Sequence, residues 1–83
     1  MPEISSFCGM YVYMYFRHRE HNPPHVHVRK GGEECSINIL TCTLDDGELP
    51  KKDLKDALRW VELHREELLE IWETQKFRKL PPL

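Results

Sequence analysis

Four of the five histidines in this 83-residue chain fall within residues 18–27, which read His-Arg-Glu-His-Asn-Pro-Pro-His-Val-His. Imidazole changes its charge near neutral pH and is the commonest metal ligand in proteins. Pro23 and Pro24 each fix φ at about −65° and lack a backbone donor, so the histidines are carried on stiff backbone. This combination indicates a site that binds a metal, transfers protons or recognises a partner.

Residues 25–30 alternate between valines and longer polar side chains, which predicts a strand with His25 and His27 on one face. Two such residues lie about 6.5 Å apart at Cα. With His21 from the preceding loop, they are predicted to bind a divalent metal such as zinc and to leave one position for water. Glu20 is the only local carboxylate expected to support these ligands.

The same imidazoles suit a second chemistry that needs no metal. His25 and His27 would act as general acid and base in the cleavage of RNA. Arg65 or Arg29 would stabilise the negative charge that develops on the phosphate. This hypothesis describes an RNA-cleaving toxin, with outward-facing tyrosines that stack on bases.

Two further hypotheses involve no catalysis. In one, the His-Pro-Pro loop is a rigid ridge that docks a small partner protein, and Tyr13, Tyr15 and an overhanging helix complete the interface. A chain this short buries a limited core, so a homodimer is also an expected state. In the other, the histidines only satisfy hydrogen bonds around a stiff turn. The residues leave these hypotheses open, including whether the protein is an enzyme.

Composition and charge restrict the class of protein. The chain is 40% hydrophobic, which is typical of a folded globule, and its length predicts one domain over residues 1–83. The net charge of −2 provides no bulk attraction to nucleic acid. Positive charge is concentrated in residues 17–30, whereas residues 31–49 contain five carboxylates and no basic residue.

We expect a cytoplasmic protein. No apolar run approaches the ~20 residues of a membrane span, and the first residues lack the basic and apolar regions of a signal peptide. Cys8, Cys35 and Cys42 match neither zinc-finger nor redox spacing, so they are expected to be reduced thiols that behave as small buried hydrophobes.

The predicted fold is α+β: a small antiparallel β-meander of three to four strands packed under one long C-terminal α-helix. In the first strand Met10, Val12, Met14 and Phe16 should face the core, and the tyrosines between them should face outward. The expected boundaries are strands at 10–17, 25–30, 33–40 and 43–46, a helix at 50–75 and a tail at 76–83.

An apolar stripe that contains Leu54, Val61 and Leu68 predicts the helix. Arg65 falls about 20° from Leu54 around the axis, inside the stripe. Its stem is therefore expected to pack on the core, with the guanidinium reaching solvent or an anion beside the histidines. His64 is placed on the shoulder of the stripe as a hydrogen-bonded residue and a second binding candidate. Leu80 and Leu83 are expected to pack back against the sheet.

Several motifs resemble a family of small bacterial proteins, a domain of unknown function of the DUF4160 type with an H-x-P-P-H-x-H-V signature. The resemblance implies a component of a two-gene, toxin–antitoxin-like module and therefore a protein- or metal-binding role. Members of the family often have glycine where this chain has Cys42. The matching segments are Met1-Pro2-x-Ile4-x-x-Phe7-x-Gly9, Met14-Tyr15, His21 to Val28, Gly47-Glu48-Leu49-Pro50, Trp60-x-x-Leu63-His64-Arg65-Glu66-Glu67-Leu68, Trp72 and Pro82-Leu83.

Overall fold

The computed structural model describes residues 3–14 and 23–83, which form a five-stranded sheet and two helices. The α+β class is confirmed, but the expectation of three to four strands and one long helix is wrong. In chain order the elements are β1 (Glu3–Phe7), β2 (Met10–Tyr13), β3 (His25–Lys30), β4 (Glu33–Asn38), β5 (Thr43–Gly47), α1 (Lys51–Leu63) and α2 (Arg65–Thr74).

Strand β1 is the element that the sequence pattern did not reveal. It pairs with β2 so that Phe7 lies opposite Met10, and Cys8 and Gly9 form the turn between them. Both turn residues have positive φ, 51° and 75°, as two-residue hairpin turns require. The register shifts near Ser5, which is buried next to Ile4 in sequence. The strand therefore lacks the alternation from which strands are predicted.

The sheet has the order β1-β2-β3-β4-β5 with every pair antiparallel, which confirms the predicted meander. Met10, Val12 and Met14 are buried, as predicted for the first strand. The remainder of that predicted strand, residues 15–17, lies outside the described residues.

Strand β4 ends at Asn38, two residues earlier than predicted. The Asn38 side-chain oxygen accepts hydrogen bonds from the backbone N–H groups of Leu40 and Thr41, at 2.8 and 3.2 Å. Such a side chain turns its own backbone. Cys42 follows with φ 56°, in the left-handed region that favours glycine. The glycine that the resembled family often has at this position would fit the turn without strain.

The core lies between one face of the sheet and the two helices. Val12, Val26, Val28 and Ile37 contribute from the sheet. Trp60 contributes from α1, with its ring centroid 5.6 Å from that of Phe7. An ion pair of 2.9 Å between Lys30 and Asp53 joins the end of β3 to the first turn of α1. Within the described residues, no helix has the length and apolar character needed to cross a membrane.

The helical region is divided at His64, whose backbone has φ −108° and ψ 20°. These angles lie outside the helical range, so α1 ends at Leu63 and α2 begins at Arg65. No proline or glycine marks the break in the sequence. It coincides with the burial of His64, whose Nδ1 lies 2.7 Å from Glu67 Oε1.

The buried side of the helices matches the predicted apolar stripe in part. Val61 and Leu68 are buried as predicted, and the shoulder residue His64 is buried too, together with Trp60 and Ile71. Leu54 is only partly buried, and Arg65 is exposed. The expectation that Arg65 packs its stem on the core is therefore wrong.

The tail packs against β1 at Leu80, which is buried and donates its N–H to the Ile4 carbonyl at 2.9 Å. The Trp60 indole N–H donates to the Pro81 carbonyl, also at 2.9 Å. Leu83 was expected to pack against the sheet as well, but it is exposed. It lies two residues beyond Pro81, which forms the last of these hydrogen bonds.

We predict that Gly47→Ala strongly destabilises the fold. Gly47 has φ 79°, and an added Cβ would meet the Glu34 carbonyl oxygen and lie 2.8 Å from Cys35 Cα. The expected loss is about 2–4 kcal/mol, measured as a lower midpoint of urea unfolding. Gly32→Ala is the control, because its Cβ would meet nothing within 4 Å. Equal midpoints for the two variants would contradict the close approach of the backbone to Gly47.

We also predict that the cysteines react at very different rates. Burial, and secondarily the charge of Glu34, raises the pKa of Cys35 from 9.0 to about 11, whereas Cys8 is exposed, contrary to the expectation that it is buried. At pH 8 a disulfide reagent should modify the exposed Cys8 rapidly and Cys35 only after unfolding. In a Cys42→Ser background, Cys8→Ser should abolish the fast phase.

The same pKa difference makes the contribution of Cys35 to stability depend on pH. Because the folded pKa is raised, the unfolded chain ionises first as pH rises. The contribution of Cys35 is therefore complete below pH 9.0 and is lost progressively towards about pH 11. Rapid modification of Cys35 in the folded protein at pH 8 would contradict its placement in the core.

Candidate functional site

His25 and His27 lie together on the face of the sheet opposite the core, here called the open face. The third predicted ligand, His21, lies outside the described residues, as does His18. Val26 and Val28 are buried on the core side, whereas His25 and His27 are partly buried on the other side. This arrangement confirms the alternation predicted for β3. The ring centroids of the two histidines are 5.0 Å apart, with planes inclined by 74°.

His25 is oriented by the backbone of the Pro-Pro segment. Its Nδ1 lies 2.7 Å from the Pro23 carbonyl oxygen. A carbonyl oxygen only accepts hydrogen bonds, so Nδ1 carries the proton, and in the neutral ring Nε2 bears the lone pair. The ring also lies 5.3 Å from that of Trp72 on α2. The hydrogen bond to the Pro23 carbonyl therefore determines the tautomer of the neutral His25 ring.

Glu34 on β4 is the carboxylate that organises the open face. Its Oε1 accepts from the Tyr13 hydroxyl at 3.3 Å and from Arg29 Nη2 at 3.0 Å. Its Oε2 lies 3.6 Å from Nδ1 of His27, an ion-pair distance that is too long for a hydrogen bond. The facing carboxylate favours a proton on Nδ1 of His27, as in carboxylate–histidine pairs that orient imidazoles.

Sequence reasoning missed Glu34 and considered only Glu20, which lies outside the described residues. A signal was present in the hairpin register. The two-glycine turn places Lys30 opposite Glu33 and Arg29 opposite Glu34. Directly opposed residues share a face of the sheet, so Glu34 could have been assigned to the face of the imidazoles.

Tyr13 departs from its predicted exposure. It lies on the open face as expected, but only 6% of its surface is exposed, compared with 51% for Tyr11. The His27 ring stacks with it at a centroid distance of 6.1 Å, and the Arg29 guanidinium lies 5.7 Å from its centroid. Neighbouring side chains therefore cover Tyr13. Tyr15, the other predicted binding tyrosine, lies outside the described residues.

Two predicted site residues on the helices lie apart from this cluster. Arg65 is exposed and lines a depression with Leu40, Thr41 and Cys42. Its side chain forms no hydrogen bond or ion pair within the described ranges. His64 is buried against Trp60, at a ring distance of 5.0 Å. The structure thus brings neither residue into contact with His25 or His27.

The open face also contains a small depression beside His27, with a volume of about 180 Å³. Glu34, Ser36 and Asp46 contribute polar walls, and Cys35 and Gly47 complete the lining. Its walls can accept hydrogen bonds or cations next to the His27 ring. Among residues 3–14 and 23–83, no three histidine, cysteine, aspartate or glutamate side chains are arranged to hold a metal ion.

Comparison with known proteins identifies one family. The family model described as "Domain of unknown function (DUF4160)" matches residues 9–73, which span β2 to the last turn of α2 and include the open-face residues. No curated protein and no solved structure matches the chain.

We predict that Glu34→Gln destabilises the protein by about 1 kcal/mol, because Arg29 and His27 lose a shared negative charge in a partly exposed position. The neighbouring Glu33→Gln is the matched control and should change stability by less than about 0.5 kcal/mol. Urea unfolding measures both variants. A larger effect for Glu33→Gln would show that Glu34 does not organise the face.

Proposed function

The chain belongs to the DUF4160 family of domains of unknown function, and from that premise we propose that its open face binds a divalent metal ion such as zinc. His25 and His27 are the proposed ligands in the described part of the chain, and His21 is proposed as the third. In this proposal the protein is a binding module rather than an enzyme, and its metal site is completed or recognised by a partner.

The orientation of the two imidazoles carries the proposal. In each ring Nδ1 faces an oxygen acceptor, the Pro23 carbonyl for His25 and the Glu34 carboxylate for His27. Histidines that bind metals typically donate one ring N–H to such an oxygen, so that the other nitrogen presents its lone pair to the ion. His25 therefore has the hydrogen-bonded oxygen that supports a metal ligand, and His27 faces a carboxylate at ion-pair distance that can serve the same purpose.

The spacing of the rings fits one shared ion. Zinc binds imidazole nitrogen at about 2.0–2.1 Å, and two rings on a tetrahedral ion have centroids about 5 Å apart. His25 and His27 have a centroid separation of 5.0 Å. The observed separation of the rings therefore supports their assignment to one ion.

A third ligand must come from elsewhere, because the described residues contain no complete group of three ligands. His21 precedes the two prolines and belongs to the same signature, which supports its assignment as that ligand. Three protein ligands would leave one position for water or for a donor from a partner.

The cellular setting forms part of the proposal. The resemblance to two-gene modules supports a bacterial, cytoplasmic protein that acts with a small partner protein in a toxin–antitoxin-like pair. A metal with an open position can accept a partner's side chain as its last ligand. Such shared coordination would make binding of the partner depend on the metal.

A second candidate function is supported by the pairing of His27 with Glu34. A carboxylate that faces one imidazole nitrogen orients the other nitrogen as a general base, and His25 lies close enough to serve as the acid. This arrangement suits cleavage of RNA without a metal. The exposed Arg65 is not in contact with these rings, so Arg29 would have to stabilise the phosphate despite its ion pair with Glu34.

We predict that the untagged protein binds one equivalent of zinc in calorimetric titration. His21→Ala, His25→Ala and His27→Ala should each raise the dissociation constant at least about 100-fold, because each removes a ligand. His18→Ala is the matched control from the same segment and should bind like the wild type. Unchanged zinc binding in the His25 and His27 variants, or no binding by the wild type, would exclude the metal site.

Chelation separates the two candidate functions. If overexpression arrests growth and cellular RNA is cut in the presence of chelator, but not with His27→Ala, the catalytic alternative replaces the metal-binding module. If RNA remains intact and the partner dissociates on chelation, the binding module is supported.

A further inference from the structure

The two edge strands of the sheet differ in their contacts with the rest of the described chain. At one edge, β1 is contacted by the tail through the hydrogen bond from Leu80 to Ile4. At the other edge, β5 pairs with β4 on one side, and no strand of the described chain pairs with its outer side. Every residue of Thr43–Gly47 is exposed. The outer edge of β5 therefore presents backbone donors and acceptors to which an extended chain can add.

Apolar side chains continue from this edge onto the helices. Leu44 on β5 is 39% exposed although it lies opposite the buried Ile37. Leu40 and Leu63, 47% and 66% exposed, both line a depression of about 730 Å³ beside the β4–β5 turn. We call β5 together with this depression the edge surface. Its three exposed leucines offer contacts for apolar side chains of a docked segment.

The edge surface is strongly acidic. Asp45, Asp46 and Glu48 lie on or directly after β5, and Glu62 and Glu66 line the depression. None of these five carboxylates forms an ion pair with another described residue. Among the described residues that line the depression, Arg65 is the only basic one. The carboxylates outnumber it, so the edge surface has a net negative charge.

We infer that the edge surface binds a basic, extended segment of another protein by addition of a strand to β5. The open backbone edge accepts the strand, the leucines contact its alternate apolar residues, and the carboxylates pair with its lysines or arginines. None of the proposed zinc ligands lies on the edge surface, although Asp46 and Gly47 of β5 also line the depression beside His27. The inference therefore does not depend on the proposed function.

A second copy of this chain is a poor occupant of the same edge. Antiparallel pairing of β5 with β5 would bring the carboxylates of Asp45 and Asp46 from two copies together. Like charges directly opposite one another destabilise strand pairing. The bulge in β5, where Ser36 pairs with Asp46 and Ile37 pairs with Leu44, leaves Asp45 outside the ladder. A basic segment has no such repulsion from the carboxylates of β5.

The test uses a defined probe, an end-capped hexapeptide that alternates lysine with valine or leucine. Titrated into ¹⁵N-labelled protein, it should shift the amide signals of residues 43–47 and slow their hydrogen exchange. A glutamate-for-lysine peptide should not bind. A peptide with N-methylated backbone should not bind either, because it cannot donate the strand hydrogen bonds.

Two charge-matched variants complete the design. Asp45→Asn with Glu48→Gln should raise the dissociation constant of the peptide about tenfold, since two ion pairs are lost. The double variant Asp56→Asn with Glu73→Gln removes the same charge from the helices outside the edge surface. It should leave the dissociation constant of the peptide unchanged. Both variants keep the zinc ligands, so their zinc titrations should match the wild type.

Three outcomes would overturn the inference. One is the absence of shifts at residues 43–47 at millimolar peptide, and another is equal binding of the N-methylated peptide. The third is a shift of the β5 amides with protein concentration alone, which would assign the edge to a second copy of the chain.

Discussion

The arrangement of the open face depends on a single register of the β3–β4 hairpin. In that register His27 lies opposite Ser36 and Arg29 lies opposite Glu34. Because successive side chains point to opposite faces of a strand, a shift of one residue would bury the imidazoles and expose Val26 and Val28. Burial stabilises each of these valines by roughly 1.5–3 kcal/mol. The apolar core therefore holds the polar face in place, although the two sets of side chains do not touch.

Glu34 divides its two oxygens between different partners. Oε1 accepts from Arg29 and Tyr13, whereas Oε2 faces His27. The guanidinium at 3.0 Å offsets part of the charge of the carboxylate. Glu34 on β4 therefore connects β2, through Tyr13, with β3, through Arg29 and His27, across the open face.

The sequence predicted the parts of the fold that follow a simple period. Strand β3 and the inward side chains of β2 were identified because valines and methionines recur at every second position. Strand β1 was missed because its bulge removes the alternation. The break at His64 was missed because the buried imidazole, rather than proline or glycine, accompanies it.

The site was predicted less completely than the fold, since its partners come from different strands. The placement of His25 and His27 on one face followed from β3 alone. Glu34 required the register of a neighbouring strand, and the burial of Tyr13 required the side chains of two neighbours. The exposure of Arg65 required knowledge of which side of α2 packs on the sheet after the break at His64. The periodicity of a single segment does not predict strand register or the packing of side chains from other segments.

One flank of α2 connects the open face with the edge surface. Trp72 contacts His25 near the end of this helix, and Arg65 lines the depression at its start. They are seven residues apart and therefore lie on the same flank, separated by two turns or about 10 Å. That separation explains why Arg65 does not reach the imidazoles. The same flank of α2 therefore contacts both surfaces. Trp72 packs its ring against His25 on the open face, and Arg65 places its guanidinium beside the carboxylates of the edge surface.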